Sequence, residues 1–152
     1  MVHVNQNFSD EDHSISVDQA RYATSVVAKY LDTATVKAST KFYKTTFPSD
    51  MIFTKYDAST TDDQVEKLTR EFNIHYRDCI ISLVYLLSTR VYLSFAAHKL
   101  AEFLSNPGKL KFKILAHILR YIRDNNNLGL NYYADMNYAL IFDLLSQASI
   151  KN

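Results

Sequence analysis

Residues 109–125 read KLKFKILAHILRYIRDN, and the spacing of their apolar side chains decides the fold class. Leu115, Ile118, Leu119 and Ile122 recur at intervals of three and four, flanked by Leu110, Ile114 and Tyr121. That spacing gathers them on one side of a helix with 3.6 residues per turn, whereas a strand would alternate every second residue. Ser105-Asn106-Pro107-Gly108 precedes it and is the clearest breaker in the chain. Proline brings no amide hydrogen and glycine turns freely, so no helix runs through that point. Gly129 stands just beyond the far end, where a C-terminal stop is expected.

Working outward, Tyr92 to Leu104 carries a further helical pattern, and helical sequence runs from Thr61 to about Ser88. Thr61 and Gln64 have the spacing of a capping box, as do Ser16 and Gln19. The second pair opens a helix whose apolar face is Ala20, Ala23, Val27, Tyr30 and Leu31, fading near Asp32. Before it, Val2-His3-Val4 and Ile15-Ser16-Val17 flank the polar stretch Asn5 to His13, which reads as a small hairpin. Thr33 to Thr61 is rich in Ser, Thr and Lys, holds Pro48 and shows no sustained period. It reads as a long connection with at most a short strand at Met51-Ile52-Phe53, and a loop that long points to a functional or mobile segment. After Gly129, Leu130 to Tyr133 fits a short strand and Ala139 to Ser146 a last short helix. The expected fold is mainly α, with α+β character only at the edges. One domain divides into a hairpin (1–17), a first helix (18–32), a connection (33–61), a helical bundle (62–127), and a strand with a tail (128–152).

Composition narrows the function. A chain of 152 residues is long enough to bury a sizeable core. Two glycines, against roughly ten in an average chain of this length, cannot supply a phosphate-cradling loop or a dinucleotide fingerprint. A single cysteine, Cys79, excludes an internal disulfide framework and a multi-cysteine zinc site. Its neighbours Ile80 and Ile81 point to a buried, inert thiol. The N-terminus lacks a basic segment followed by an apolar one, so an intracellular chain, not a secreted one, is expected. Cys79 to Ala97 is the longest apolar run, with Arg90 at its centre. A cation at mid-bilayer costs about 2.5–3.5 kcal/mol, so two buried helices are expected there and no membrane span.

The formal net charge of +1 hides an uneven layout. Residues 1–32 hold five acids and two bases, while residues 67–123 hold ten bases and three acids. On the helix from Lys109, the side chains of Lys109, Lys113, Arg120 and Arg123 form a narrow stripe opposite the apolar face, with His117 at its border. Such a stripe fits either a solvated helix face or a track for a phosphate backbone. Phe42-Tyr43, between Lys41 and Lys44, and Tyr132-Tyr133 fit half-buried packing or base stacking. Asp62-Asp63 precedes a helical pattern and suits the positive end of a helix dipole better than a pair of metal ions. His3, His13, His75, His98 and His117 lie on separate elements without ligand spacing. No metal, no cofactor and no nucleophile-base arrangement emerges.

The block from Tyr76 to Tyr132 resembles the polyprotein of copia-type long-terminal-repeat retrotransposons, in the part just downstream of the polymerase active site. The matching pieces, in order, are Tyr76-Arg77, Ser82-Leu83-Val84-Tyr85-Leu86, Thr89-Arg90, Phe95-Ala96, Asn106-Pro107, Leu119-Arg120-Tyr121-Ile122 and Leu128-Gly129-Leu130-Asn131-Tyr132. Upstream, Ile15-Ser16-Val17-Asp18-Gln19 followed by Tyr22 looks like the strand-to-helix entry after the family's primer-contacting hairpin. The likeness covers roughly residues 2–133. It implies the end of the palm, a thumb-like helical bundle and the start of the connection of a reverse transcriptase. In the family the paired polymerase aspartates lie upstream of this part and the RNase H carboxylates downstream. Neither Asp62-Asp63 nor Asp135 stands in a matching position.

The resemblance therefore implies a non-catalytic stretch of an RNA-directed DNA polymerase polyprotein. Its retained activity would be contact with an RNA–DNA hybrid or DNA through Lys109, Lys113, Arg120 and Arg123. The alternatives are a transposon-derived interaction or oligomerisation module, and a gene model that cuts a longer reverse transcriptase/RNase H product. In the former, Val2, Val4, Ile15 and Val17 would be sticky edges towards a second copy or the missing palm and RNase H segments. Three departures from the family pattern carry structural expectations. Ile81 stands where the family has Gly, which would crowd a close helix contact. Val91-Tyr92 replaces a Pro-Asp pair after Arg90, so the two apolar helices would run together. Lys111-Phe112 replaces a His-Trp pair.

Overall fold

Helical periodicity in the middle of the chain and strand alternation towards its ends produce, among the described residues of the computed structural model, five α-helices and three strands. It describes residues 2–9, 12–31, 43–48, 58 and 61–133. The elements are β1 (His3–Ser9), β2 (Asp12–Asp18), α1 (Ala20–Leu31), α2 (Asp62–Phe72), α3 (Tyr76–Leu86), a 3-10 turn (Val91–Leu93), α4 (Ser94–Ala101), α5 (Lys109–Asp124) and β3 (Leu130–Tyr133). The mainly helical class, the N-terminal hairpin and the closing strand agree with the sequence reading. The strand expected at Met51-Ile52-Phe53, the helix expected at Ala139 to Ser146, and Phe42 and Asp135 lie outside the described residues.

The quoted stretch is the centre of the bundle. α5 packs against α1, α2 and α4, while α3 packs against α1 and α4. Phe112, Ile114, Leu115, Leu119 and Ile122 of α5 are fully buried. Ala23, Val26, Tyr30 and Leu31 of α1 join them, along with Cys79, Ile80, Leu83 and Leu86 of α3 and Ala96, Ala97 and Leu100 of α4. Phe72 stacks on Phe112 at 5.4 Å and Tyr76 tilts against the same ring at 5.2 Å. The Tyr76 hydroxyl donates to the Leu100 carbonyl at 2.9 Å, so its polar end is satisfied inside the core.

The helix boundaries correct several expectations. Ser16 lies within β2 and caps nothing; the Asp18 carboxylate instead accepts from the Ala20 amide at 2.9 Å at the entry to α1. Gln19 turns inward, and its Oε1 accepts from the hydroxyls of Thr89 at 2.8 Å and Ser88 at 3.3 Å. The helical sequence from Thr61 to Ser88 is two helices. Thr61 is the N-cap of α2, without a side-chain capping bond, and Asn73 ends that helix at φ 52°. Asparagine tolerates this left-handed geometry, and the following Ile74 drops fully into the core.

Nor do the two apolar helices run together. The chain turns from Leu87 to Thr89, Arg90 leaves helical geometry, and the 3-10 turn begins the next segment. At this break Arg90 is buried with its guanidinium on the Asn125 and Asn126 carbonyls. Ile81 crowds no helix: it is 61% exposed. Gly129 is not a left-handed helix stop either, since no described glycine has a positive φ and α5 ends at Asn125. The reason for glycine there is close approach. A Cβ at residue 129 would sit 2.6 Å from the Val17 carbonyl oxygen and 3.0 Å from the Asp18 Cβ.

The three strands form an antiparallel sheet in the order β1-β2-β3. Val4 pairs with Val17 and Val17 with Leu130; Gln6 pairs with Ile15 and Ile15 with Tyr132. Directly opposed residues share a face, so Val4, Gln6, Ile15, Val17, Leu130 and Tyr132 lie together. The other face is polar, with Asn5, Ser16 and Asn131 in one row and His3 beside Asp18 at 3.8 Å.

Candidate nucleic-acid interface

α5 buries its apolar side in the bundle and carries the proposed basic stripe on the other. The stripe is only partly open. Lys109 and Lys113 are exposed, whereas Arg120 and Arg123 are half-buried. The Lys109 ammonium pairs with Glu71 of α2 at 2.5 Å. Lys113 has no ion pair among the described residues. Arg123 donates through Nε to Asp124 at 2.7 Å.

Residues 43–48 explain why the C-terminal half of the stripe is covered. The Tyr43 amide donates to the Asp124 carboxylate at 2.9 Å, and the Asn125 side-chain amide donates to the Tyr43 carbonyl at 3.1 Å. The Arg120 guanidinium lies 5.7 Å from the centre of the Tyr43 ring and donates to its hydroxyl at 3.3 Å. His117 meets the same ring edge-on at 4.8 Å, and its Nε2 lies 2.9 Å from the Thr45 carbonyl. Tyr43, one of the residues considered for base stacking, thus has its ring engaged by α5. Burial raises the Asp124 carboxyl, but the Arg123 hydrogen bond, the Tyr43 amide and the Arg123 charge more than offset it. The group sits below its ordinary value of 3.8.

Tyr132 and Tyr133 are 57% and 69% exposed and point to opposite faces of β3. Asp62 and Asp63 occupy the exposed first turn of α2, where they complement the helix dipole. Among the described residues no three His, Cys, Asp or Glu side chains gather as a metal site, and no helix is long and apolar enough to cross a membrane. Cys79 is fully buried, which pushes its thiol well above the usual range.

Two cations were not singled out from the sequence as structural: Arg90 and Lys111, both fully buried. Arg90 crosses to the C-terminal end of α5. Its Nη1 donates to the Asn125 carbonyl at 3.0 Å and to the Tyr92 hydroxyl at 3.1 Å, and its Nη2 donates to the Asn126 carbonyl. A positive charge is thereby set against the negative end of the helix dipole. Burial holds the Tyr92 hydroxyl above its ordinary value, with Arg90 pulling the other way. The Lys111 ammonium lies 4.4 Å from the centre of the Phe103 ring, within cation–π range. A strongly basic residue inside an apolar run was the available signal for Arg90. For Lys111, the three- and four-residue spacing around it already placed it near the apolar face.

No protein-family model, curated protein or solved structure matches this chain.

Proposed function

We propose that this chain is a non-catalytic module of the copia-type reverse transcriptase kind, spanning the end of the palm, the thumb and the start of the connection. In this reading it contacts the backbone of an RNA–DNA hybrid through the open half of the α5 stripe. One observation carries the reading: several residues of the resemblance are ones on which the fold depends. Tyr76 opens α3 and reaches across to α4, Leu83 and Leu86 fill the core, and Thr89-Arg90 makes the buried turn. Asn106-Pro107 precedes α5, Leu119 and Ile122 anchor it, and Gly129 admits β3 against β2.

The test is an anisotropy titration of the full chain with an RNA–DNA hybrid at several salt concentrations. Lys109→Ala with Lys113→Ala is the informative pair, because Arg120 holds Tyr43 and Arg123 holds the Asp124 carboxylate that accepts from the Tyr43 amide. Two lost phosphate contacts should lower the slope of log affinity against log salt by about 1.5–2. Affinity that is unchanged in the double variant, or indifferent to salt, refutes the contact. A second reading, an interaction module, is favoured by the open apolar face of the sheet. Val2, Val4, Ile15 and Tyr132 are all exposed there.

A further inference from the structure

Residues 43–48 lie on the α5 stripe as a strap, and the strap brings a cation of its own. The Thr45 carbonyl lies 2.9 Å from Nε2 of His117, and the Tyr43 amide donates to Asp124 at 2.9 Å. These anchors sit at two levels of α5, about 10 Å apart along the helix axis. Lys44 stands between them, at about the level of Arg120. The Tyr43 ring turns onto His117 and Arg120, whereas Lys44 is exposed. Further along, the strap is held by Phe47, whose ring meets Phe95 edge-on at 5.9 Å, and by the buried Pro48.

The strap thereby changes which cations can meet a phosphate. Arg120 donates through Nη1 to the Tyr43 hydroxyl, and its Nε is buried. Arg123 donates to Asp124, the carboxylate that also accepts from the Tyr43 amide. Lys109 holds Glu71. Lys44 and Lys113 are exposed, and neither has an ion pair among the described residues. Lys109 and Lys113 are one turn apart, about 6 Å along the axis, and Lys44 continues the line about 10 Å beyond Lys113. The two carboxylates described beside this line, Glu71 and Asp124, are both already engaged.

We propose that Lys44 is a phosphate-contacting residue, and that Arg120 and Arg123 are positioning residues that hold the strap on which it stands. The ligand is the sugar-phosphate backbone of an RNA–DNA hybrid, so the proposal rests on the nucleic-acid reading above and gives it a third contact, from a separate segment of the chain. It also changes the role of the C-terminal half of the stripe. Arg120 and Arg123 act there through the strap, and the outward charge at that level is the ammonium of Lys44. An ammonium on a flexible stem suits this task, because a phosphate track asks for point charges and counterion release rather than a fixed fork.

The measurement is the anisotropy titration of the full chain with an RNA–DNA hybrid across salt concentrations. Lys44→Ala should lower the slope of log affinity against log salt by about 0.7–0.9, the effect of one phosphate contact, and Lys44→Arg should restore it. Lys29→Ala removes the same charge from an exposed position on α1, which packs against the buried side of α5, and should leave the slope unchanged. Adding Arg120→Met to Lys44→Ala should lower it no further, since Arg120 acts through Lys44. Hydrogen exchange of the unmodified chain needs no variant: the Tyr43 amide, bonded to Asp124, should stay protected when hybrid is bound. The proposal is overturned by an unchanged slope in Lys44→Ala, or by an equal fall in Lys29→Ala. A further fall in the double variant overturns the positioning role and makes Arg120 a contact in its own right. Loss of Tyr43 protection on binding overturns it too, because the strap would then be a cover that the backbone displaces. A slope that responds to Lys109→Ala with Lys113→Ala but not to Lys44→Ala removes this proposal alone, whereas a chain that binds no hybrid at any salt removes both readings.

Discussion

Replacing Arg90 by methionine keeps most of the buried volume and removes the guanidinium that terminates α5. Three hydrogen bonds go with it, two of them to the carbonyls of Asn125 and Asn126. A buried carbonyl left without its donor costs about 1–3 kcal/mol. Asn125 and Asn126 are half-buried, so the lower end applies to each and the gross loss is about 2–3 kcal/mol. One effect runs the other way. Arg90 is fully buried and its Nε has no hydrogen-bond partner among the described residues, so deleting the charge also relieves desolvation. The helix end compensates much of that desolvation already, because it presents two carbonyl dipoles to the cation. The net expectation is a loss of about 2 kcal/mol, a lowering of the urea midpoint by about 1 M at a typical slope. Arg90→Lys, which keeps the charge and loses the fork, should fall between the two. Urea titration followed by helical circular dichroism measures both, with an unchanged slope as the check that compactness is preserved. A methionine variant as stable as the parent would refute the reasoning: desolvation would then outweigh the capping bonds.

Gly129→Ala should loosen β3, since the added Cβ meets the Val17 carbonyl at 2.6 Å; faster hydrogen exchange at residues 130–133 with the helices unaffected is the expected pattern. The Cys79 thiol is held well above its usual range by burial, so a thiol reagent at neutral pH should label the folded chain only as fast as it opens, and fully in denaturant. Asp124 has a carboxyl below its ordinary value of 3.8. Its stabilising contribution is present above the unfolded value and is lost as pH falls through the folded one. Acidification below about pH 4 should therefore release residues 43–48 from α5 in the parent chain, and Asp124→Asn should blunt that acid sensitivity. Nuclear magnetic resonance of the Tyr43 amide follows the release directly.

The helices were legible because burial on α5 obeys its own period: Leu115, Ile118, Leu119 and Ile122 are all in the core. The hairpin was legible because Val2, Val4, Ile15 and Val17 alternate with polar residues. What failed were the boundaries, and for one kind of reason. Asn73 ends α2 by a left-handed backbone that an asparagine followed by the apolar Ile74 permits, a weaker signal than glycine. The turn before α4 has neither proline nor glycine; it is imposed by the distant carbonyls that Arg90 must reach. Gln19 matches a capping box in sequence but is drawn instead to Thr89, seventy residues away. The cover over half of the basic stripe is not legible for a similar reason, since residues 43–48 come from a region without periodicity.

The pairing of Val17 with Leu130 also sets an order of events during synthesis. The hairpin emerges first, yet the inner edge of β2 has no partner until more than a hundred further residues have been made. At about 5–20 residues per second, that interval lasts on the order of 5–20 s. Throughout it the nascent chain displays the seven-residue edge of β2, which in the finished sheet is covered by β3. The bundle can assemble in the meantime from α1 and residues 62–124, but the sheet closes only when Gly129 comes to lie against the Val17 carbonyl. A ribosome-associated holding factor that shields strand edges would act within this window.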